Sequence, residues 1–267
     1  MNGVLRFCIC GVGVRAPGIA NWPGARSVLR GETGYRFEPM VKPNPDMLPA
    51  AERRRSSDSV RLAIEVAQQA VRAAGVDPAR LASVFAASDS DGHIIHDICE
   101  ALAQQERHVS PTAFHNSVHN APAGYWSIAT GCHAASTSLS AYDLSFAAGL
   151  IEAATQVVAD GRDVLLVACD LPLPPPLHAL RPIDQPFAAA LVLAPVRQQP
   201  DPPAWELTIA PPHASQVDTS EAPECLRTNP AARCWPLLAS LARGTAGAAH
   251  VRLAYFDNQT LVLKRTS

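Results

Sequence analysis

Three stretches of this chain are apolar without a break: Phe7 to Val14, Val164 to Cys169 and Ala188 to Ala194. A strand with one wet face alternates apolar and polar residues, so unbroken runs predict strands covered on both faces. All are far shorter than the roughly 18–20 residues a membrane span needs. Phe7 to Val14 follows a single Arg6 and resembles a signal-peptide core, but it has no clear cleavage site and contains Gly11 and Gly13. A buried first strand, Leu5 to Val14, running into a glycine turn fits it better.

Helical spacing fills the intervals. From Ser59 to Ala74, Val60, Ala63, Ile64, Ala67, Ala70 and Val71 share one face; Ser56, Ser57 and Asp58 offer N-caps and Gly75 a C-terminal stop. Leu81 to Ala87 reads as a short strand, followed by a polar turn, Ser88-Asp89-Ser90-Asp91-Gly92. Helices are expected over Ile94 to Gln105, Thr137 to Ala159 and Trp235 to Arg243. Trp205 to Ala210 is a strand, and His250 to Phe256 with Thr260 to Lys264 a hairpin turned by Asp257-Asn258. Residues 15 to 50 read as a long loop with one short helix, and Pro172 to Pro186 as an irregular one. Strands alternating with helices predict an α/β fold, a mixed sheet covered by helices on both faces.

Composition narrows the class. At 48% hydrophobic and 17% charged residues, a disordered tail protein is excluded. A net charge of −2, with arginines scattered singly except at Arg53-Arg54-Arg55, gives no basic face for nucleic acid. Seven cysteines, an odd count without a CxxC pair, indicate a reduced, cytoplasmic protein. In Cys8-Ile9-Cys10 both thiols are expected on one strand face as small core residues.

Specificity comes from residues 110 to 171. Pro111 and Phe114, then Asn120, Ala123-Gly124, Ser127-Ile128 and Gly131, are followed by a long helix, Asp163, the apolar strand and Cys169-Asp170. In their order and spacing these resemble the N-terminal half of the β-ketoacyl-acyl-carrier-protein synthases of the thiolase-like superfamily. Gly11-Val12-Gly13, the helix of residues 53 to 75 and Arg181-Pro182-Ile183-Asp184 extend the resemblance over about residues 4 to 195. It implies a thiolase-like half-fold at 1–198 and a reduced C-terminal remnant, helix plus hairpin, at 199–267. Half of the 24 prolines lie between Pro172 and Pro212, where the resemblance thins.

Two departures change what the resemblance implies. Counting without gaps from Gly131 puts the family's nucleophilic cysteine at Asp143. A thiolate at a helix N-terminus attacks an acyl thioester; a carboxylate would form a labile anhydride. Cys132 lies too early and Cys169 falls where the family has a glycine, so no catalytic residue is expected. The family's second half, with its two histidines, does not fit in the 72 residues after 195. His213 and His250 stand in no matching context.

The resemblance then implies a non-catalytic subunit like a chain-length factor, resembling the short proteins of aryl-polyene and related bacterial pigment pathways. It would heterodimerise with a full-length β-ketoacyl synthase of a type II fatty-acid or polyketide system, with no cofactor. Interface candidates are Phe114, His115, Asn116, His119, Asn120, Tyr125, Trp126, Cys132 and His133. Arg53, Arg54 and Arg55 are candidates for docking the acidic acyl carrier protein, or simply a solvated helix start. Two alternatives stay open: a divergent acyltransferase or thioester hydrolase with another nucleophile, and a homodimeric module binding acyl groups or carrier protein.

Other motifs read more plainly. His115 and His119 have the i, i+4 spacing of a zinc pair, but Pro111 and Pro122 make one continuous helix doubtful and no third ligand is fixed. The run from Ser88 to Gly92 lacks the acidic closing residue of a calcium loop. Gly11-x-Gly13 has Ala16 and then Pro17 where a dinucleotide fingerprint needs glycine and a helix start. No G-x-S-x-G surrounds Ser127, Ser136, Ser138 or Ser140. Asp143 is expected to cap or hydrogen-bond near its helix start, where a carboxylate suits the dipole; a role in decarboxylation or in touching the partner's acyl chain is the sharper alternative.

Overall fold

The computed structural model describes residues 3–197, 203–211, 221–244, 250–256 and 258–266. Each unbroken apolar run is an interior strand of one mixed sheet. In chain order the elements are β1 (Leu5–Arg15), α1 (Trp22–Leu29), α2 (Ala50–Arg55), α3 (Asp58–Ala74), β2 (Ala82–Ala86) and α4 (Gly92–Ala103). Then follow α5 (Pro111–Asn116), α6 (Ala121–Thr130), β3 (Ser136–Leu139), α7 (Ser145–Asp160), β4 (Val164–Asp170) and α8 (Leu177–Leu180). The chain closes with β5 (Phe187–Ala194), β6 (Ala204–Ala210), α9 (Trp235–Arg243), β7 (His250–Ala254) and β8 (Thr260–Arg265). The eight strands run β3-β2-β4-β5-β1-β6-β8-β7, with β2 parallel to both β3 and β4 and the other pairs antiparallel.

The sheet separates two cores. On β4, Val164, Leu166 and Ala168 face α7, while Leu165, Val167 and Cys169 face α3; β5 alternates in the same way. All six helix-face residues predicted on α3 are buried, Ser57 caps the helix through the Val60 N–H, and Gly75 ends it at φ 66°. Gly11 and Gly13 serve neither a turn nor a phosphate. A β-carbon at Gly11 would overlap the carbonyl oxygen of Ala70, and one at Gly13 that of Val66. They let the α3 backbone lie directly on β1.

Two expectations need correction, and the doubt about one continuous helix through His115 and His119 is borne out. The helix expected from Thr137 begins only at Ser145: residues 136–139 form β3 instead, pairing in parallel with β2 from Ser83↔Ser136 to Ala86↔Leu139. Cys8 and Cys10 do not both enter the core, because the β1–β5 register slips between Ile9 and Gly11 and leaves Cys10 half-buried. Pro111 and Pro122 each open a helix of their own, α5 and α6, so His115 and His119 lie on opposite sides of a break.

The C-terminal segment continues the same sheet, β6 pairing with β1 from Leu5↔Leu207 to Cys8↔Ala204. Asp257 of the expected hairpin turn, His213, Pro212 and the 198/199 boundary lie outside the described residues. No helix among the described residues is long and apolar enough to cross a membrane.

Candidate functional site

Five residues, 140–144, connect β3 to α7. Ser145 ties this turn down: its hydroxyl accepts from the Ala141 N–H at 3.0 Å and donates to the Tyr142 carbonyl at 2.6 Å. Tyr142 takes a left-handed backbone, φ 53°, a strained state for a bulky residue. Asp143 follows it, one residue ahead of the Leu144 N-cap, and α7 has no side-chain cap. The expected capping role is therefore corrected. The carboxylate turns away from the helix and is gripped by two guanidiniums, Arg181 Nη1 at 3.0 Å from Oδ1 and Arg233 Nη2 at 2.8 Å from Oδ2.

The clamp joins distant parts of the chain. Arg181 follows α8, lies 3.7 Å over the Tyr142 ring and reaches Asp89 at 3.6 Å. Arg233 stands on a 3-10 turn, Pro230–Cys234, in the C-terminal segment. That turn is fixed by buried Asn229, whose Nδ2 donates to the carbonyls of Asp170 and Gln185, both at 2.9 Å. Each oxygen of the carboxylate has a guanidinium beside it, one an ion pair and the other also a hydrogen bond. The carboxylate is set up as a structural anion rather than an attacking group.

A second polar group lies at the end of β4. Asp170 is 3% exposed, and its Oδ1 accepts from the Ser88 N–H and the Ser88 hydroxyl, each at 2.7 Å. Its Oδ2 is buried with no hydrogen-bond partner among the described residues. Burial pushes this carboxyl up to about 7, against the opposing Ser88 hydrogen bonds. Burial also raises Asp89, held back by Arg181 and His119.

A pH effect on stability follows. The free carboxyl of an unfolded aspartate titrates near ~3.9, so folding raises its proton affinity. The stabilisation by the bound proton is full below about pH 4 and lost as pH rises through about 7. Asp170→Asn keeps an oxygen for Ser88 and removes the charge. Urea denaturation at pH 5 and pH 8 is expected to show the wild type losing on the order of 3 kcal/mol more than this variant. Parallel losses in both proteins would show that Asp170 does not titrate in this range.

The cysteines are unsuited to nucleophilic work. Cys169 faces α3, its thiol raised well above the ordinary range by burial and by the nearby carboxylates of Asp170 and Asp91. Cys132 is buried and donates to the Leu81 carbonyl at 3.3 Å.

Of the nine interface candidates, Phe114, His115, Asn120 and His133 are exposed and His119 is half-buried. Asn116, Tyr125, Trp126 and Cys132 are buried within the chain's own fold. Asn116 donates to the carbonyls of Arg55 and Thr112, and Tyr125 meets His115 edge-on at 5.7 Å. Arg53 is spent on the Pro45 carbonyl, Arg55 lies 3.9 Å from Glu52, and Arg54 is exposed. Among the described residues no group of three or more His, Cys, Asp or Glu side chains could hold a metal ion.

Sequence reading missed Arg181 and Arg233 as partners of Asp143; Arg233 lies 90 residues away with no local signal. The helix expected over Ile94 to Gln105 is present as α4, but the sequence did not show that its Ile94, Ile95, Ile98 and Leu102 are all left at least partly exposed and that the helix buries no residue.

Comparison with known proteins places this geometry. No curated protein sequence matches the chain. The fold is shared with a chain of the ketosynthase (ApeO) in complex with its chain length factor (ApeC) from Xenorhabdus doucetiae. The TM-score is 0.73 at 24% identity, over 98% of this chain and 100% of that one. A chain of the AntDE:AntF assembly, a type II acyl-carrier protein with its ketosynthase, gives 0.74 at 14% identity over 100% of both chains. The ishigamide ketosynthase/chain length factor gives 0.70 at 11% identity, over 98% and 99%. The α/β architecture is thus the thiolase-like fold of ketosynthases. Residues 31–252 match the family profile described as beta-ketoacyl synthase, N-terminal domain, and this chain belongs to that family.

Proposed function

We propose that this chain is a non-catalytic, chain-length-factor-like subunit that pairs with a full-length β-ketoacyl synthase of a type II pathway, of the aryl-polyene kind. The observation that carries the reading is the clamp: Asp143, which counting from Gly131 aligns with the family's nucleophile, is held at 2.8 and 3.0 Å by Arg233 and Arg181. An acyl thioester arriving there meets no thiolate. The 199–267 segment supplies Arg233 to fix that position. The reading needs no cofactor, and the protein works in the cytoplasm.

The pairing surface is the β3 end of the sheet. Among the described residues β3 pairs only with β2 and its other edge has no strand partner, which an edge strand rarely shows without cover. The elements along that side carry Leu102, Phe114, Val118, Ile128 and Tyr142 exposed, and α4 presents its apolar residues without burying one. A partner's strand and helices would cover both. Arg54 and Arg55 remain for contact with the acidic carrier protein.

Co-expression with a full-length β-ketoacyl synthase from the same organism, followed by size-exclusion chromatography, is expected to give one heterodimer. Phe114→Glu and Ile128→Glu change residues 67% and 53% exposed, so each should alter the chain's own stability by less than about 0.5 kcal/mol. Each is expected to weaken co-elution by tenfold or more. Two separate species, with synthase activity unchanged by this chain, would overturn the reading.

A further inference from the structure

Among the described residues, three other than glycine have a left-handed backbone: Arg107 at φ 51°, Tyr142 at 53° and Phe256 at 51°. That state costs free energy in any residue with a β-carbon and persists only where the surroundings impose it. Phe256 lies in the β7–β8 hairpin, where the Tyr255 N–H donates to the Gln259 carbonyl at 3.3 Å, and tight hairpin turns need positive φ. Arg107 sits with its side chain exposed in the link from α4 to α5.

Tyr142 is held from several sides. Its carbonyl accepts from the Ser145 hydroxyl at 2.6 Å and from the Ser145 N–H at 3.3 Å. The Arg181 guanidinium covers one face of its ring, 3.7 Å from the centroid. Arg181 is itself fixed by Asp143 at 3.0 Å and Asp89 at 3.6 Å, while its Nε and Nη2 are buried without a hydrogen bond among the described residues. Backbone strain and an incompletely bonded buried cation thus hold one aromatic residue that is still 62% exposed. Within this chain such a ring buries little, so the cost is recovered only when something covers it.

The ring stands three residues beyond the end of β3, whose outer edge has no strand partner among the described residues. A subunit that covers that edge also reaches the ring. A pre-held aromatic loses little freedom on binding, which suits it to anchor an interface. A second cation on its open face would be repelled by Arg181, so that face favours an apolar or aromatic side chain.

We propose that Tyr142 is the affinity-determining contact of this chain with its synthase partner, its open ring face taking an apolar or aromatic side chain, and that Arg181 is the positioning residue that holds the ring. The inference rests on the pairing proposed above and narrows it to one anchor.

The dissociation constant of the co-expressed complex, from size-exclusion chromatography over a dilution series, tests it beside urea denaturation of each variant alone. Tyr142→Gly removes the ring and relieves the strain, since glycine adopts positive φ freely. It should weaken pairing by about tenfold or more without lowering the urea midpoint. Tyr142→Phe keeps the ring and should pair within about threefold of the wild type. Arg181→Lys keeps the charge and loses the planar stack; it should weaken pairing in the wild type and add nothing in Tyr142→Gly, whereas a merely structural role would weaken both. Phe256→Gly relieves a similar φ at the other end of the strand order and should leave pairing unchanged. Absence of any complex with the wild type would overturn the pairing and this inference together. A complex that Phe114→Glu weakens and Tyr142→Gly leaves intact, or that Phe256→Gly weakens as much as Tyr142→Gly, would overturn this inference alone.

Discussion

Gly13→Val is expected to remove cooperative folding at 37 °C, and Gly11→Val to come close to doing so. The obstacle at each position is backbone. An added β-carbon at Gly13 meets the Val66 carbonyl oxygen, with the Gln69 β-carbon at 2.9 Å and the Ala70 nitrogen at 3.0 Å. At Gly11 it meets the Ala70 carbonyl oxygen, with the Ala74 β-carbon at 2.8 Å and the Ala74 nitrogen at 3.0 Å. Side chains relieve overpacking by changing rotamer, at about 1–3 kcal/mol. A helix carbonyl has no rotamer, so α3 must move as a body. Moving it opens the core that holds Val60, Ile64, Ala67 and Val71 against Leu165, Val167 and Val192. It also breaks the bond from the Val14 N–H to Gln69 Oε1, 3.1 Å. The expected cost exceeds about 4 kcal/mol for Gly13→Val, at the far end of single-residue effects. Thermal and urea denaturation followed by circular dichroism decide the matter. A midpoint within a few degrees of the wild type would mean that α3 does not sit on β1 as described.

The same two glycines show where the sequence is readable and where it is not. A glycine pair in a buried strand marks a bulge, a bend or a close backbone approach, but which backbone approaches is a tertiary fact. The interior strands were legible because a sheet covered on both faces leaves no polar alternation. The α3 face and its caps were legible because 3.6-residue spacing and a left-handed glycine are local signals. β3 was not, because Ser136-Thr137-Ser138-Leu139 has neither a long apolar run nor turn residues before the following helix. Its strand state comes from β2, which supplies partners for the whole segment. The family was legible from spacing. The clamp was not, since charge complementarity over such separations leaves no pattern in the chain. Asp170 was visible only as a polar residue ending an apolar run, which ordinarily means a turn. Its burial follows from Ser88 and Asn229 closing around it.

The clamp predicts an asymmetry among its members. Asp143→Ala removes the carboxylate that Arg181 and Arg233 share, leaving Arg233 without this partner and Arg181, its side chain only 15% exposed, with Asp89 at 3.6 Å. Hydrogen bonds to charged groups contribute about 1.5–3 kcal/mol each, but Asp143 and Arg233 are more than a third exposed, so solvent screening reduces the total. A loss of about 2–3 kcal/mol is expected for Asp143→Ala. Arg233→Ala leaves Asp143 paired with Arg181 and should cost about 1 kcal/mol or less. The double variant should be more stable than Asp143→Ala alone, because removing the second cation relieves the repulsion that the first substitution creates. Urea denaturation of the four proteins at pH 7 measures this cycle, and additive losses would show that Asp143 and Arg233 act independently. Asp143→Cys separates structure from chemistry at the same point. Two adjacent guanidiniums favour a thiolate, so this thiol should be alkylated by iodoacetamide faster than the buried Cys132 and Cys169. Acyl-thioester condensation by the purified chain should stay at background, because a thiolate placed here has beside it no histidine in the context that the resemblance gives the family's two catalytic histidines; His213 and His250 stand in other contexts. Turnover restored by this one substitution would mean that the chain retains catalytic machinery and that Asp143 alone silences it.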